Sequence, residues 1–336
     1  MRKIGAAGRF LDWLPFMLNQ AILAPMLLLM GVVGGGTNFK SGVRSYGVPV
    51  IGGSLPATKG SVFHVDSGHN NANATNSGAD PRFPLSTIDA AVAKCTANNG
   101  DIILVSEGHT ETISAAGGVD LDVAGIRVIG LGHGSDRPTI TLDTAATTDV
   151  DVDAANVYIE NLVFSANYAD INHCIDVNAT DFTMAGCHFQ ATATNMNFKI
   201  CVQDAAANAS DRLRVLRCTS LLLDAADTHF INFAGTPDGA EVSGCELFGN
   251  WGTMAIGGAG VVTRCKVLDN VIYNAASDSD SCINFASTAT GICMRNLCGG
   301  AAAQANGITA TAFAVAENYY GVLSEDLSAI LEPIAT

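Results

Sequence analysis

The feature that most constrains this chain is a repeat of about 27 residues that runs through its last two thirds. Its pattern is apolar, any, apolar, any, Gly or Asn, then Leu or Cys. It begins at Ile126-Arg127-Val128-Ile129-Gly130-Leu131 and recurs as Val157, Ile159, Asn161, Leu162 and Phe164. The central apolar position falls at Val128, Ile159, Met184, Val215, Val242, Val262, Met294 and Ala316, with gaps of 31, 25, 31, 27, 20, 32 and 22. A second column, Val150, Ile175, Val202, Ile231, Ile256, Ile283 and Ile308, has gaps of 25, 27, 29, 25, 27 and 25. Two independent columns sharing one period predict a solenoid.

Within each repeat, apolar residues alternate with period two, so the repeat is built of strands. The alternation slips at the Gly or Asn position. A slip exchanges the two faces unless the chain bends there, and Gly and Asn tolerate the left-handed backbone of a sharp bend. Corners are therefore expected at Gly130, Asn161, Gly186, Gly244, Asn296 and Asn318. Stacked coils of this kind make a parallel β-helix of about eight coils, roughly 40 Å long at about 4.8 Å per coil. Cys187, Cys218, Cys245 and Cys265 fall in one column flanked by Leu131, Leu162 and Leu297. They are expected to form a buried, reduced ladder of small apolar side chains, since no CxxC motif or paired His supplies a zinc ligand set. Composition agrees: charged residues are 15% and aromatics 7%, with 35 glycines, while 48% hydrophobic residues exclude disorder for most of the length.

Charge divides the chain unevenly. Residues 1–50 carry Arg2, Lys3, Arg9, Lys40 and Arg44 against Asp12, a net of +4, so a total of −15 leaves −19 for the remainder. That acidic body disfavours nucleic acid. Residues 13–39 carry no charge, and 13–33 read WLPFMLNQAILAPMLLLMGVV. A membrane anchor, an uncleaved signal and an assembly arm buried against other subunits all fit this run. Pro15, Pro25, Asn19 and Gln20 interrupt it and favour the arm, with Trp13, Leu14, Phe16, Met17, Ile22, Leu23, Leu27, Leu28 and Leu29 as its buried residues.

Four segments are expected: an apolar, basic anchoring arm at 1–50; leading strands, loop and capping helix at 51–100; the parallel β-helix at 101–320; and a C-terminal cap at 321–336. Strands are expected at 48–51, 61–65 and 101–105. Ser86 or Thr87 caps a helix whose Ile88, Ala91, Val92 and Cys95 recur at helical spacing, and this helix covers the first coil. Leu323, Leu327, Ile330 and Leu331 share a helical face that covers the other end.

The stretch SVFHVDSGHNNANATNSGADPRFPLSTIDAAVAKCTANNGDIILVSE, residues 61–107, resembles the start of right-handed parallel β-helix proteins of the pectate-lyase-like class. The class shows there a strand, an Asn/Gly loop, a P-F-x-T-I-x-A-A-V helix and a G-D-x-I-x-V strand. With the coils behind it, the resemblance spans about 270 residues. Ser106-Glu107-Gly108-His109 departs from the P-G-x-Y turn of carbohydrate-active members. Bacteriophage proteins of this class are similar in style, with a short N-terminal arm, few lysines and an ending like Glu317 to Gly321. The resemblance implies an all-β, right-handed solenoid acting as a virion structural protein, either a capsid decoration or vertex protein or a tail-associated spike. It also implies threefold side-by-side packing into a homotrimer, with a surface glycan as a further partner. Residues 1–50 match no known segment; their apolar run and net +4 are expected to reach capsid or tail partners.

The alternatives are a polysaccharide lyase or hydrolase, or a β-helix anchored in a membrane at the cell surface. β-Helix enzymes of this class place carboxylates, often with Ca²⁺, on the outer face of one strand column. The column beside Ile175 reads Asp151, Asp176, Gln203, Asn232, Gly257, Asn284 and Thr309, with Asp149 and Asp153 nearby. Asp151 and Asp176 stacked about 5 Å apart are the catalytic or Ca²⁺ candidates. A solvated polar stripe, which any β-helix must have, is the favoured account of them, since no Arg or Lys shares the column to stabilise an anionic intermediate. No other cofactor is implied. The seven histidines show no fixed spacing. Asn73, Asn178 and Asn208 begin glycosylation-like triplets, a pattern common by chance.

Overall fold

A computed structural model describes residues 44–45, 48–49, 58–204, 210–222, 224–276, 281–300, 307–322 and 332–333. The chain divides into two units, Met1–Ala57 and Thr58–Thr336. In the first, Arg44–Ser45 pairs antiparallel with Val48–Pro49. The apolar residues from Trp13 to Leu29 lie outside the described residues, as do Leu323, Leu327, Ile330 and Leu331 of the expected C-terminal cap. No helix among the described residues is long and apolar enough to cross a membrane.

The second unit is an all-β parallel solenoid. Each complete coil contributes one strand to each of three sheets, here A, B and C in coil order. Among the described residues, sheets A and B each contain ten strands and sheet C eight. Sheet A runs from Val62–Val65 to Phe313–Ala316 and sheet C from Val119–Asp120 to Ile308–Thr309. Sheet B runs from Thr110–Ile113 to Tyr319–Val322, where Glu332–Pro333 adds an antiparallel partner. The eight strands of sheet C set the solenoid at about eight coils.

The short helix α1, Ile88–Val92, begins at Thr87, whose hydroxyl accepts from the Ala90 N–H. It buries Ile88, Ala91 and Val92 and covers the first coil. Below it a small apolar space is lined by Ile88, Val119, Leu121, Val128 and Ile140, among others. Within the coils, phenylalanines stack on neighbouring rungs, Phe164 on Phe189 at 5.3 Å and Phe285 on Phe313 at 4.8 Å, while Phe233 meets Phe285 at 5.9 Å across the coil between them, where the column holds Gly258.

From Asn161 onward, each described coil turns between sheets A and B through two residues. The first adopts a left-handed backbone at Asn161, Gly186, Arg217, Gly244, Asp269, Arg295 and Glu317, with φ between 50 and 64°. The second points inward. In register these inward residues are Leu162, Cys187, Cys218, Cys245, Asn270, Asn296 and Asn318, whereas Leu131, expected in the same column, is only half-buried and outside the core because Gly130 does not bend the chain. The cysteine ladder thus becomes a buried asparagine ladder. Asn270 Nδ2 donates to Asn296 Oδ1 and Asn296 Nδ2 to Asn318 Oδ1, both at 2.9 Å. Each of the three also donates to a main-chain carbonyl, of Val242, Val267 and Cys293 respectively.

The structure corrects several expectations. Val242 pairs with Val267, not Val262, and the column continues through Cys293 and Val315 rather than Met294 and Ala316. The gaps of 20 and 32 become 25 and 26, the distances from Val242 to Val267 and from Val267 to Cys293. Ile292-Cys293-Met294 is apolar throughout, so period-two alternation cannot set its phase. Asn296 and Asn318 consequently lie inside the corners, and the left-handed residues are Arg295 and Glu317. Cys265 is buried, but in the column of Leu213 and Ala240, at the entrance to the sheet A strands, rather than with Cys187, Cys218 and Cys245. Leu297 faces outward on sheet B and is 40% exposed. Gly130 has no left-handed backbone; it is small because a Cβ there would strike the Asn161 carbonyl.

Candidate functional site

The second apolar column, Val150 to Ile308, sits on sheet C in the register read from the sequence, and its polar neighbours follow it. The outward column of sheet C accordingly runs Asp120, Asp151, Asp176, Gln203, Asn232, Gly257, Asn284, Thr309. Asp120, at the head of the column, extends the carboxylate stack beyond the residues singled out from sequence.

Strand Val150–Val152 places Asp151 outward between Asp149 and Asp153. Asp149 is nearly buried; it accepts from the Gly117 N–H at 2.6 Å and lies 3.5 Å from His173 Nδ1. Asn178 Nδ2 donates to Asp153 at 3.0 Å and to Asp176 at 3.3 Å. Partial burial, with Asp149, Asp153, Asp176 and Asp120 close by, pushes the Asp151 carboxyl up to about 6. Asp120 and Asp149 are raised as well, first by burial. Such a group carries a proton in mildly acid solution and can donate or accept one near neutrality. Lower in the column, carboxylates give way to an amide pair, Asn232 Nδ2 donating to Gln203 Oε1 at 3.0 Å. Among the described residues, no group of three or more His, Cys, Asp or Glu side chains is arranged to hold a metal ion.

The charged column missed in the sequence lies on sheet A. One position before the central apolar residue, Arg127, Tyr158, Thr183, Arg214, Glu241 and Lys266 follow one another outward. Arg127 lies 5.9 Å from the Tyr158 ring centroid, the Tyr158 hydroxyl donates to Glu160 at 3.0 Å, and Lys266 stands 3.8 Å from Glu241. Burial, then the Glu160 contact, pushes the Tyr158 hydroxyl up to about 12. The repeat that located the core contained this column in its variable position.

His109 forms no Ser-His-acid arrangement. Fully buried, it accepts at Nδ1 from the Ser67 main-chain N–H at 3.0 Å, and its Nε2 lies 3.3 Å from Glu111. Glu111 in turn accepts from the Ile88 N–H at 2.9 Å, so the pair ties sheet B to the start of α1. Two further carboxyls are buried among coils. Asp204 accepts from Ser210 Oγ and the Gly235 N–H, and burial raises it to about 7. Asp227 is raised to about 8 by burial, then by Asp224. All ten cysteines are free; nine are buried and Cys95 is partly exposed.

No family model and no curated protein matches the chain. Among solved structures, a rhamnogalacturonan lyase is similar at 10% identity and a TM-score of 0.43, over 77% of this chain and 87% of that one. ORF18 of Geobacillus virus E2 is similar at 13% identity and a TM-score of 0.35, over 81% of this chain and 63% of that one. At these scores neither bears on the chemistry of this chain.

Proposed function

We propose that the chain is a non-enzymatic structural component of a bacteriophage virion, a rod attached to the particle through residues 1–50. The observation that carries this reading is the tying of successive coils by side chains as well as by strands. On the inside, the Asn270–Asn296–Asn318 ladder links three coils. On the outside, Arg212 pairs with Asp181, Arg264 with Asp238 and Arg295 with Asp269, each across adjacent coils. Such cross-links suit a module that bears load or resists proteolysis. Attachment through the N-terminal segment is supported by its uncharged run at 13–39 and its net +4 beside a body of −19. Gradient-purified phage particles should contain the protein in a fixed copy number. Its absence from intact particles made in the same cells overturns the reading.

The raised Asp151 carboxyl, stacked on Asp176, favours a second reading as a polysaccharide-cleaving enzyme. Cleavage of a host-surface polysaccharide by the wild type, lost when Asp151→Asn and Asp176→Asn are combined, would replace the structural role with that one. The structural reading expects no cleavage by either protein.

A further inference from the structure

The outer face of sheet B changes character along the rod. Its two outward columns begin with Thr110, Thr112, Thr139 and Thr141, then become largely apolar over the last five coils, where Thr219 and Glu246 are the polar exceptions along with the hydroxyls of Tyr273 and Tyr319. Leu221 is 54% exposed, Phe248 43%, Leu297 and Tyr319 40% and Val271 38%. Tyr273 lies against Phe248 with ring centroids 6.1 Å apart. Beyond this aromatic ridge the same column drops to Gly299 and Gly321. The fold does not require Gly299. A Cβ there would meet nothing nearer than Gly321 O at 3.8 Å and Tyr273 Cδ2 at 3.9 Å, whereas at Gly300 it would strike Asn274 O at 2.5 Å. An unforced strand glycine weakens its strand and marks close approach of another molecule.

We propose that this face binds a second copy of the chain, rotated by half a turn about the strand direction so that the coil order is reversed. The centre of the contact lies between strands Val271–Asn274 and Leu297–Gly300. Tyr273 then faces Gly299 of the other copy, Phe248 faces Gly321, and Val271 faces Leu297. Ridge meets depression twice, as a self-complementary twofold contact requires. Glu246, the one charged residue in these columns over the five coils, faces the Tyr319 hydroxyl, which donates to it. The threefold side-by-side packing implied by the resemblance instead brings three Phe248 rings to one height and leaves the glycine positions open. Four strands of each copy face one another, and at about 4.8 Å spacing and about 13 Å length they give roughly 250 Å² per copy. A standard interface needs about 800 Å² per partner, so the pairing is weak and concentration-dependent.

Cross-linking of the full chain tests the register. Chains carrying Glu246→Cys and chains carrying Tyr319→Cys are mixed and treated with a short bis-maleimide, each variant alone serving as control. The reversed pairing sets these positions opposite one another across about 10 Å, while like positions are offset by three coils, about 14 Å along the rod. The mixture should give at least fivefold more cross-linked dimer than either variant alone. A second pair, Phe248→Cys with Gly321→Cys, reads the same register should the first disturb folding. Efficient cross-linking of Glu246→Cys with itself shows like-to-like packing about a threefold axis and overturns the proposal. Absence of any cross-link with both pairs overturns it too, leaving the face to a different partner.

Discussion

Asp227 is completely buried, and neither of its oxygens has a hydrogen-bond partner of acceptable geometry, although Asn197 beside it favours the charged form. Its carboxyl is therefore neutral in the folded chain at pH 7, held up to about 8 mainly by burial. The folded value exceeds the unfolded value of about 3.9. The stability this group contributes is thus fully present below about pH 4 and is lost as pH rises through 8. Thermal unfolding should show a midpoint that falls between pH 5 and pH 9, and Asp227→Asn should flatten that fall. An Asp227→Asn profile parallel to the wild type would assign the pH dependence elsewhere. The thiols make a second residue-scale prediction. Burial raises Cys187, Cys218 and Cys265 above the ordinary thiol range, so native protein should react with a thiol reagent at no more than the partly exposed Cys95. All ten cysteines should react after denaturation. Fast native labelling at Cys187, Cys218, Cys245 or Cys265 would contradict the packing. Sequence placed all four of these cysteines inside but gave Cys265 the wrong column, because burial follows from apolar character whereas column membership follows from pairing.

At the scale of the element, the internal ladder and the external rungs differ in energetic weight. Asn296→Ala removes a buried amide and strips partners from Asn270 and Asn318, so it should cost about 2–3 kcal/mol, since buried unpaired polar groups are expensive. Arg295→Ala breaks an exposed pair with Asp269 and should cost far less, with most of its effect absent in high salt. Denaturant unfolding of both variants checks the ranking; equal costs would refute it. The sheet C column was legible residue by residue because apolar and polar positions alternate cleanly from Val150-Asp151 to Ile308-Thr309. The A–B corners were less so. A left-handed position accepts Arg217, Asp269, Arg295 and Glu317 when the coil geometry enforces it, which removes the Gly or Asn marker on which sequence reading depends. The asparagine ladder stayed hidden for the same reason: its members carry the residue type expected of the bend, one position away.

For the whole molecule, two column periods were enough to give a parallel solenoid of about eight coils, and helix α1 closes its first coil where the sequence places it. The surface chemistry was harder to read. The Arg127–Tyr158–Arg214 column on sheet A and the apolar half of sheet B emerge only when outward positions of successive coils are stacked in register, because each is spaced by a whole coil in the chain. The acidic body, the cross-tied coils and the uncharged N-terminal run together motivate a particle-borne rod, and attachment through that run is its central claim. It is tested most directly by adding purified protein to particles lacking it and quantifying occupancy. Full-length chain should decorate the particles, while a chain starting at Gly47 should fold with an unchanged unfolding midpoint, remain soluble and leave them bare. Equal occupancy by the truncated chain, or partition of the full-length chain into lipid vesicles without binding to particles, would contradict the account.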